Sequence, residues 1–506
     1  MKLIRYLLVG MLLVALFGTA REIPAVRAEG EPRSASAVSF PNLEYVLKYQ
    51  WHTFYGVNGS VGQLSAVATD ASGNVYVAGY LSKTWGSPLH AYSGGYDIIV
   101  MKLNSRGQYQ WHTFYGAAPV IGEDGDDEAA GIAVDGDGNV YVTGYSDRTW
   151  KGPGSVNPLN PHGGDAEYMF VLKLTTNGAY LWHTFFQAGR GTGIALDSSR
   201  NVYVTGDSAL EWGSPKHSGG ELCVTKLNAS GAHQWHTYYG AGASSMDEIP
   251  RGIAVDASGY VYVAGQSPDT WRGDGNAVPL HAFSGGAGYS ADIVVLKLNS
   301  SGTYQWHTFW GASEYDDIAY AIAVDKNGNP YIAGGSYETW GSPLHAFASN
   351  EDIVVLKLNA SGARLWHTFW GSGYSDGGTG IAVDRSGNAY VTGWSAGSWL
   401  GTGNASPKHP HSANGNSDVT VLKLNSSGAY AKHTFYGADS SQQSPGGIAL
   451  GPYNNVFTTG LSQASWKGDG NANPLHAHSG NLNGDGFVLK LSDWLHKDYL
   501  PVVMGQ

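Results

Sequence analysis

One four-part phrase recurs seven times in this chain, out of phase with the chain ends. Its most regular form is GIAVD, a turn, NVYVTG, a variable loop, DIVVLKLN, a turn, and YQWHTFYG. The first part falls at 66–70, 131–135, 193–197, 252–256, 321–325, 380–384 and 447–451, a period of about 60–70 residues. The third part falls at 100–104, 171–175, 224–228, 295–299, 355–359, 421–425 and 488–492. Each part is a short β-branched run or alternates apolar with small or polar residues, the pattern of a strand. ASGN (71–74), GDGN (136–139) and KNGN (326–329) join first parts to second, and NSRG (104–107) and NASG (228–231) join third to fourth. Such Gly-containing connections make hairpins. The expected fold is therefore all-β, a seven-bladed β-propeller of four-stranded antiparallel blades.

The phase of the repeat predicts how the ring closes. A fourth-part copy, YQWHTFYG (49–56), precedes every first part. The seventh unit ends at VLKLS (488–492), and SDWLHK (492–497) cannot supply its fourth strand. Trp494 follows Leu491 by three residues, whereas Trp306 follows Leu298 by eight, so no room is left for a turn. The N-terminal strand should complete the last blade and remove the open edge. The boundaries read as a signal peptide (1–28), a linker (29–44), the propeller (45–492) and a tail (493–506).

GIAVDASGYVYVAG followed by DIVVLKLNSSGTYQWHTFWG resembles the bacterial SBBP β-propeller repeat and is similar in strand order to NHL-type propellers. The resemblance covers about residues 45–492. It implies a seven-bladed propeller on a secreted or cell-surface bacterial protein.

The N-terminus fits that expectation. Lys2 and Arg5 precede an apolar run, and AVRAEG offers a cleavage site near Ala28. No later segment is apolar enough to span a bilayer. Removing residues 1–28 leaves 25 Lys+Arg against 40 Asp+Glu. That acidic balance argues against nucleic acid as a partner. Cys223 is the single cysteine, so no disulfide forms within the chain. KDYLPVVMGQ lacks sortase-type spacing, since Leu500-Pro501 is not followed by Thr-Gly.

The second-to-third loops each carry Trp, Pro and His. The candidate ligand-binding residues are Trp85, His90, Trp150, His162, Trp212, His217, Trp271, His281, Trp340, His345, Trp399, His409, Trp466 and His476. Strand order puts these loops on one face, together with the links between blades. They could form a rim of aromatic platforms and imidazole donors. They could instead staple each loop to its own blade, which sevenfold repetition favours. The repeated His52, His112, His183, His236, His307, His367 and His433 lie on outer strands too far apart to share one ligand. They read as packing and hydrogen-bonding residues.

The link GEDGDDEAAG (122–131) is the most acidic, and Asp124, Asp126, Asp127 and Glu128 are candidate Ca²⁺ ligands. No other cofactor is implied. Asp135-Gly-Asp137-Gly-Asn139 fails as an EF-hand loop, because Val140 and Ser146 stand where Gly and Glu are needed. GWSAG (393–397) matches a nucleophile-elbow pattern, but Ser395 is a repeat residue at a strand end and no helix follows. The NAS sequons are hairpin turns. The expected activity is a non-enzymatic binding module: a secreted or cell-surface monomer that grips an extracellular glycan or protein through its Trp/His loop face. The alternative is a metal-dependent lyase or hydrolase with its site at the central channel mouth.

Overall fold

A computed structural model describes residues 46–494, apart from 121–124, 165, 188, 209, 243–247, 286–289, 413–414 and 440. The expected signal peptide and linker, most of the expected tail and Asp124 lie outside the described residues. Seven four-stranded antiparallel sheets form a ring of blades. The first strands are Gly62–Thr69, Asp127–Val134, Gly191–Leu196, Ile249–Val255, Asp317–Val324, Asp376–Val383 and Gln443–Leu450 for blades 1 to 7. Each packs beside the first strands of both neighbouring blades, which makes them the inner ring around a central channel. The WHTFYG strands are outermost.

Blade 7 takes its fourth strand from the N-terminus. Val46–Tyr55 pairs antiparallel with Asp485–Trp494, with His52 opposite Leu489 and Phe54 opposite Phe487. The closing strand buries Leu47, Trp51, Phe54 and Tyr55. Asp485–Trp494 runs two residues past the expected boundary at 492, and those two residues have work to do.

Alternation puts Trp and the last aromatic of each WHTFYG strand on one face and His and Phe on the other. Trp51 and Tyr55 join the core shared with blade 1, and Phe54 joins that shared with blade 6. A second stitch crosses the seams at the periphery. The third-strand Lys donates to a carbonyl in the last hairpin of the next blade: Lys102 to Thr176 at 3.0 Å, Lys297 to Ala360 at 2.7 Å, Lys490 to Ser105 at 2.8 Å. The outer-strand Trp often shares that acceptor, as Trp111 and Trp306 do at 3.3 Å.

The closure seam is the exception. Blade 7 has chain ends where the other blades have that hairpin, so blade 6 meets no hairpin carbonyl. Here Lys423 pairs with the Asp493 carboxylate, and the Tyr390 hydroxyl donates to the same oxygen at 2.5 Å. Lys432 stands where the other blades have Trp. The loss of Trp in AKHTFYG follows from the missing acceptor.

The first hairpins show the same logic. Asp70, Asp135, Asp197, Asp256, Asp325 and Asp384 each accept the backbone amides two and four residues on, at 2.8–3.0 Å. Tyr76, Tyr141, Tyr203 and Tyr262 then donate to the second carboxylate oxygen at 3.0–3.1 Å. In blade 7 both partners are replaced together, by Gly451 and Phe457. A buried hydroxyl left without its acceptor would cost about 1–3 kcal/mol, whereas removing both partners can be nearly neutral.

Candidate functional site

The loop Trp residues pack inward. Each stacks on the outer-strand His of its own blade: Trp85 on His112, Trp150 on His183, Trp212 on His236, Trp271 on His307, Trp340 on His367, Trp399 on His433 and Trp466 on His52. Centroids are 3.7–4.1 Å apart and the planes are within 12°. The His Nε2–H donates to the backbone carbonyl of the same Trp at 2.7–3.1 Å. Nδ1 accepts from a Tyr hydroxyl three residues earlier in five blades, as from Tyr304 to His307 at 2.8 Å. Burial lowers the pKa of His52, His183, His307, His367 and His433 to about 4. Where both nitrogens are committed, as at His52, His183, His307 and His433, a neutral imidazole cannot ligate a metal or take up a proton without breaking the blade; Nδ1 of His367 is buried with no hydrogen-bond partner among the described residues.

The loop His residues are similarly engaged. His90, His217, His281, His345 and His476 donate from Nδ1 to outer-strand carbonyls at 2.7–2.8 Å. His162 donates from Nε2 to Ser146 O at 2.9 Å, and His409 from Nδ1 to Pro410 O at 3.1 Å. Trp150, Trp271, Trp340, Trp399 and Trp466 are buried, while Trp85 and Trp212 are half-buried. Trp212 lines a peripheral cavity of about 510 Å³ with Phe186, Leu159 and His233.

The acidic link does not gather its carboxylates. Strand alternation sends Asp127 inward and Glu128 to the other side. Asp127 is fully buried and accepts from Ala117 N at 2.7 Å and from the Ser146 hydroxyl. The Asp126 amide donates to Asp147 at 3.2 Å. Among the described residues no three His, Cys, Asp or Glu side chains converge as a metal group. Ser395 repeats the Ser146 role: it is buried, bonds Asp376 and accepts from Trp399 Nε1 at 3.2 Å.

The asymmetric chemistry lies in the channel. Each first strand carries a bulge near its loop-face end. The extra residue in each enters the channel lining: Ser65, Ala130, Thr192, Arg251, Tyr320, Thr379 and Gly446, around a cavity of about 180 Å³. Arg251 and Tyr320 are the two large ones and sit on adjacent blades. The guanidinium lies 5.0 Å from the Tyr320 ring centroid. Tyr320 meets the Trp394 ring edge-on at 5.8 Å. Three consecutive blades thus contribute one wall.

Arg251 has spare donors. Nη2 makes a long 3.5 Å bond to Gln266 Oε1, and Nε is buried with no partner among the described residues. It forms no ion pair among the described residues. Nearby, Glu351 accepts from the Ser375 hydroxyl at 2.7 Å, and burial raises its carboxyl pKa. Burial, and then the Glu351 charge, raise the Tyr320 hydroxyl. The opposite arc is already paired: Arg190 clamps Glu167 through two bonds at 2.5 and 2.6 Å and lies over the Tyr145 ring at 4.7 Å. A sequence signal for the channel wall existed. The residue just before each first part reads Ser, Ala, Thr, Arg, Tyr, Thr, Gly around the ring, a variable position inside an invariant frame.

Residues 110–148, 234–267, 305–339 and 366–398 match the family described as SBBP, Beta-propeller repeat. Each matched stretch begins in an outer strand and ends at or just past the second strand of the following blade, the phase seen at the chain ends. The chain is 22% identical over 435 residues to an uncharacterized WD repeat-containing protein of Acanthamoeba polyphaga mimivirus, covering 67% of this chain and 30% of that protein. Among solved structures it is similar to the RRP9 WD40 repeats (8% identity, TM-score 0.47, 88% of this chain and all of that one). It is also similar to an ulvan lyase of polysaccharide lyase family PL25 (10% identity, TM-score 0.42, 82% of this chain and 92% of that one).

Proposed function

With four stretches matching the SBBP beta-propeller repeat, seven blades built on one pattern and one asymmetric arc, we propose that this chain is a binding module whose ligand enters the channel mouth on the loop face. The observation that carries this reading is Arg251: a channel-lining guanidinium with a buried, unpartnered Nε, walled by Tyr320 and Trp394. A guanidinium fork suits a carboxylate or sulfate, and the aromatic wall suits the ring or side chain that bears it. The ligand is an extracellular glycan or protein presenting an anionic group. The loop Trp and His residues act as scaffold, holding the blades that aim the wall, and Trp212 offers one accessible aromatic at the periphery. Secretion, by cleavage near Ala28, puts the module where such ligands occur.

The test is a binding screen against polyuronates, sulfated glycans and acidic peptides. One class should bind the wild type, and Arg251→Ala should weaken it by about tenfold or more, since a desolvated Arg is a typical hot spot. Silence across all three classes, or equal binding by Arg251→Ala, would remove the proposal.

A further inference from the structure

The aromatic wall of the channel continues outward onto the loop face. Among the described residues, the exposed tyrosines of that face are Tyr315 (54%), Tyr337 (40%) and Tyr374 (48%). All three belong to the arc that runs from Tyr320 to Trp394. Tyr315 and Tyr374 occupy one repeat position, two residues before Asp317 and Asp376 in the links that enter blades 5 and 6. The matching link residues of blades 1, 2 and 7 are Ser60, Gly125 and Ser441, so the blade does not need a ring there.

The Tyr315 and Tyr374 side chains make no hydrogen bond and stack on no other ring among the described residues. Tyr374 is held in place by close packing. It lies against Gly397, where a Cβ would come 2.7 Å from the ring. The next residue, Ser375, donates to Glu351 at 2.7 Å and accepts from Trp394 Nε1 at 3.4 Å, which sets this platform beside the wall. Tyr315 lies five residues before Tyr320, at most about 17 Å of extended chain. The charges differ along the arc. Arg251 has spare donors in the channel, whereas Glu314 and Asp316 flank Tyr315. An anionic group is attracted at the first place and repelled at the second.

We infer that the ligand is an extended acidic heteroglycan, with one anionic sugar at Arg251 and neutral sugars on Tyr315 and Tyr374. This rests on the channel-mouth reading above and names the ligand class for that site. An exposed tyrosine presents a flat apolar face to the C–H face of a pyranose and a hydroxyl to its edge. A peptide would instead use a sheet edge or an apolar groove, which these polar links do not supply.

The test titrates the full chain by calorimetry with four probes: glucuronic acid, a hyaluronan hexasaccharide (glucuronate alternating with neutral N-acetylglucosamine), hexagalacturonate and hexaglutamate. The hyaluronan hexasaccharide should bind more tightly than hexagalacturonate, and about tenfold or more tighter than glucuronic acid, because only it reaches the platforms with neutral rings. The double variant Tyr315→Ala/Tyr374→Ala should lose that gain and still bind glucuronic acid as wild type does. Both side chains are exposed, so its melting temperature should hold. Tyr315→Phe/Tyr374→Phe should bind within about threefold of wild type, since the stacking faces are kept. Arg251→Ala should weaken all the sugars, glucuronic acid included; equal binding by that variant would sink the channel reading. The platform inference is overturned if the hyaluronan hexasaccharide binds no more tightly than glucuronic acid, if the double alanine variant binds it as well as wild type, or if hexagalacturonate or hexaglutamate binds more tightly.

Discussion

Replacing His307 with Gln tests whether the repeated imidazoles are locked neutral. His307 is fully buried, stacked on Trp271 at 3.8 Å and bonded at both nitrogens. Burial holds its pKa at about 4, against the model-compound value of 6.5. The folded pKa is depressed, so its contribution is complete above pH 6.5 and is lost as pH falls toward 4. Between those limits the unfolded chain binds a proton that the folded protein refuses. At pH 5, about 1.5 units below the unfolded pKa, this amounts to about 2 kcal/mol at 1.36 kcal/mol per unit. His307→Gln should be less stable than wild type at pH 7, through lost stacking. Its deficit should shrink by about 2 kcal/mol at pH 5, because only the wild type carries the proton-linked penalty. Equilibrium urea unfolding of both proteins at the two pH values, followed by tryptophan fluorescence, measures the difference. Buried aspartates such as Asp317, whose pKa is pushed up to about 7 by burial, titrate alike in both and cancel. An identical deficit at the two pH values would show that His307 is protonated in the folded state, and the neutral-stack account would fail.

Three further outcomes follow. Deleting residues 45–56 exposes Asp485–Trp494 as an open edge, so light scattering should show oligomers or the protein should fail to fold; a monomer of wild-type stability contradicts strand closure. Asp493→Ala removes the carboxylate paired with the buried Lys423 ammonium and should cost about 3–5 kcal/mol in urea unfolding, while adding Lys423→Met should recover most of it; an Asp493→Ala protein as stable as wild type would deny the pair its role. Trp271→Ala empties a buried position and should cost about 3–5 kcal/mol, whereas Arg251→Ala should shift stability by less than about 1 kcal/mol; the reverse order would move the functional role back to the loop tryptophans.

Much of the architecture was legible because repetition averages out local ambiguity. Seven copies of GIAVD and VLKLN give the strand count, and the orphan YQWHTFYG gives the closure. The packing role of the outer-strand His residues was legible from their spacing, and sevenfold repetition favoured a staple over a platform for the loop Trp. What holds each Trp was not legible: the outer-strand imidazole, stacked at 3.8 Å on Trp271 for example, appears only in the folded blade. Arg251 lines the channel on the face that carries the Trp/His loops, and a larger cavity opens among the short hairpins.

By itself the sequence determined the blade, its number and its phase, since strand periodicity and turn chemistry act over a few residues. The paired losses of Asp with Tyr at Gly451 and Phe457, and of Trp at Lys432, were also written there, but as unexplained exceptions. Only the tertiary structure supplied the reason. Bulges bring Ser65, Ala130, Thr192, Arg251, Tyr320, Thr379 and Gly446, spread over nearly 400 residues of chain, around one axis. Convergence of that kind depends on ring closure, which no local pattern encodes, so the difference between a repeat residue and a site residue appears only when the ring is complete.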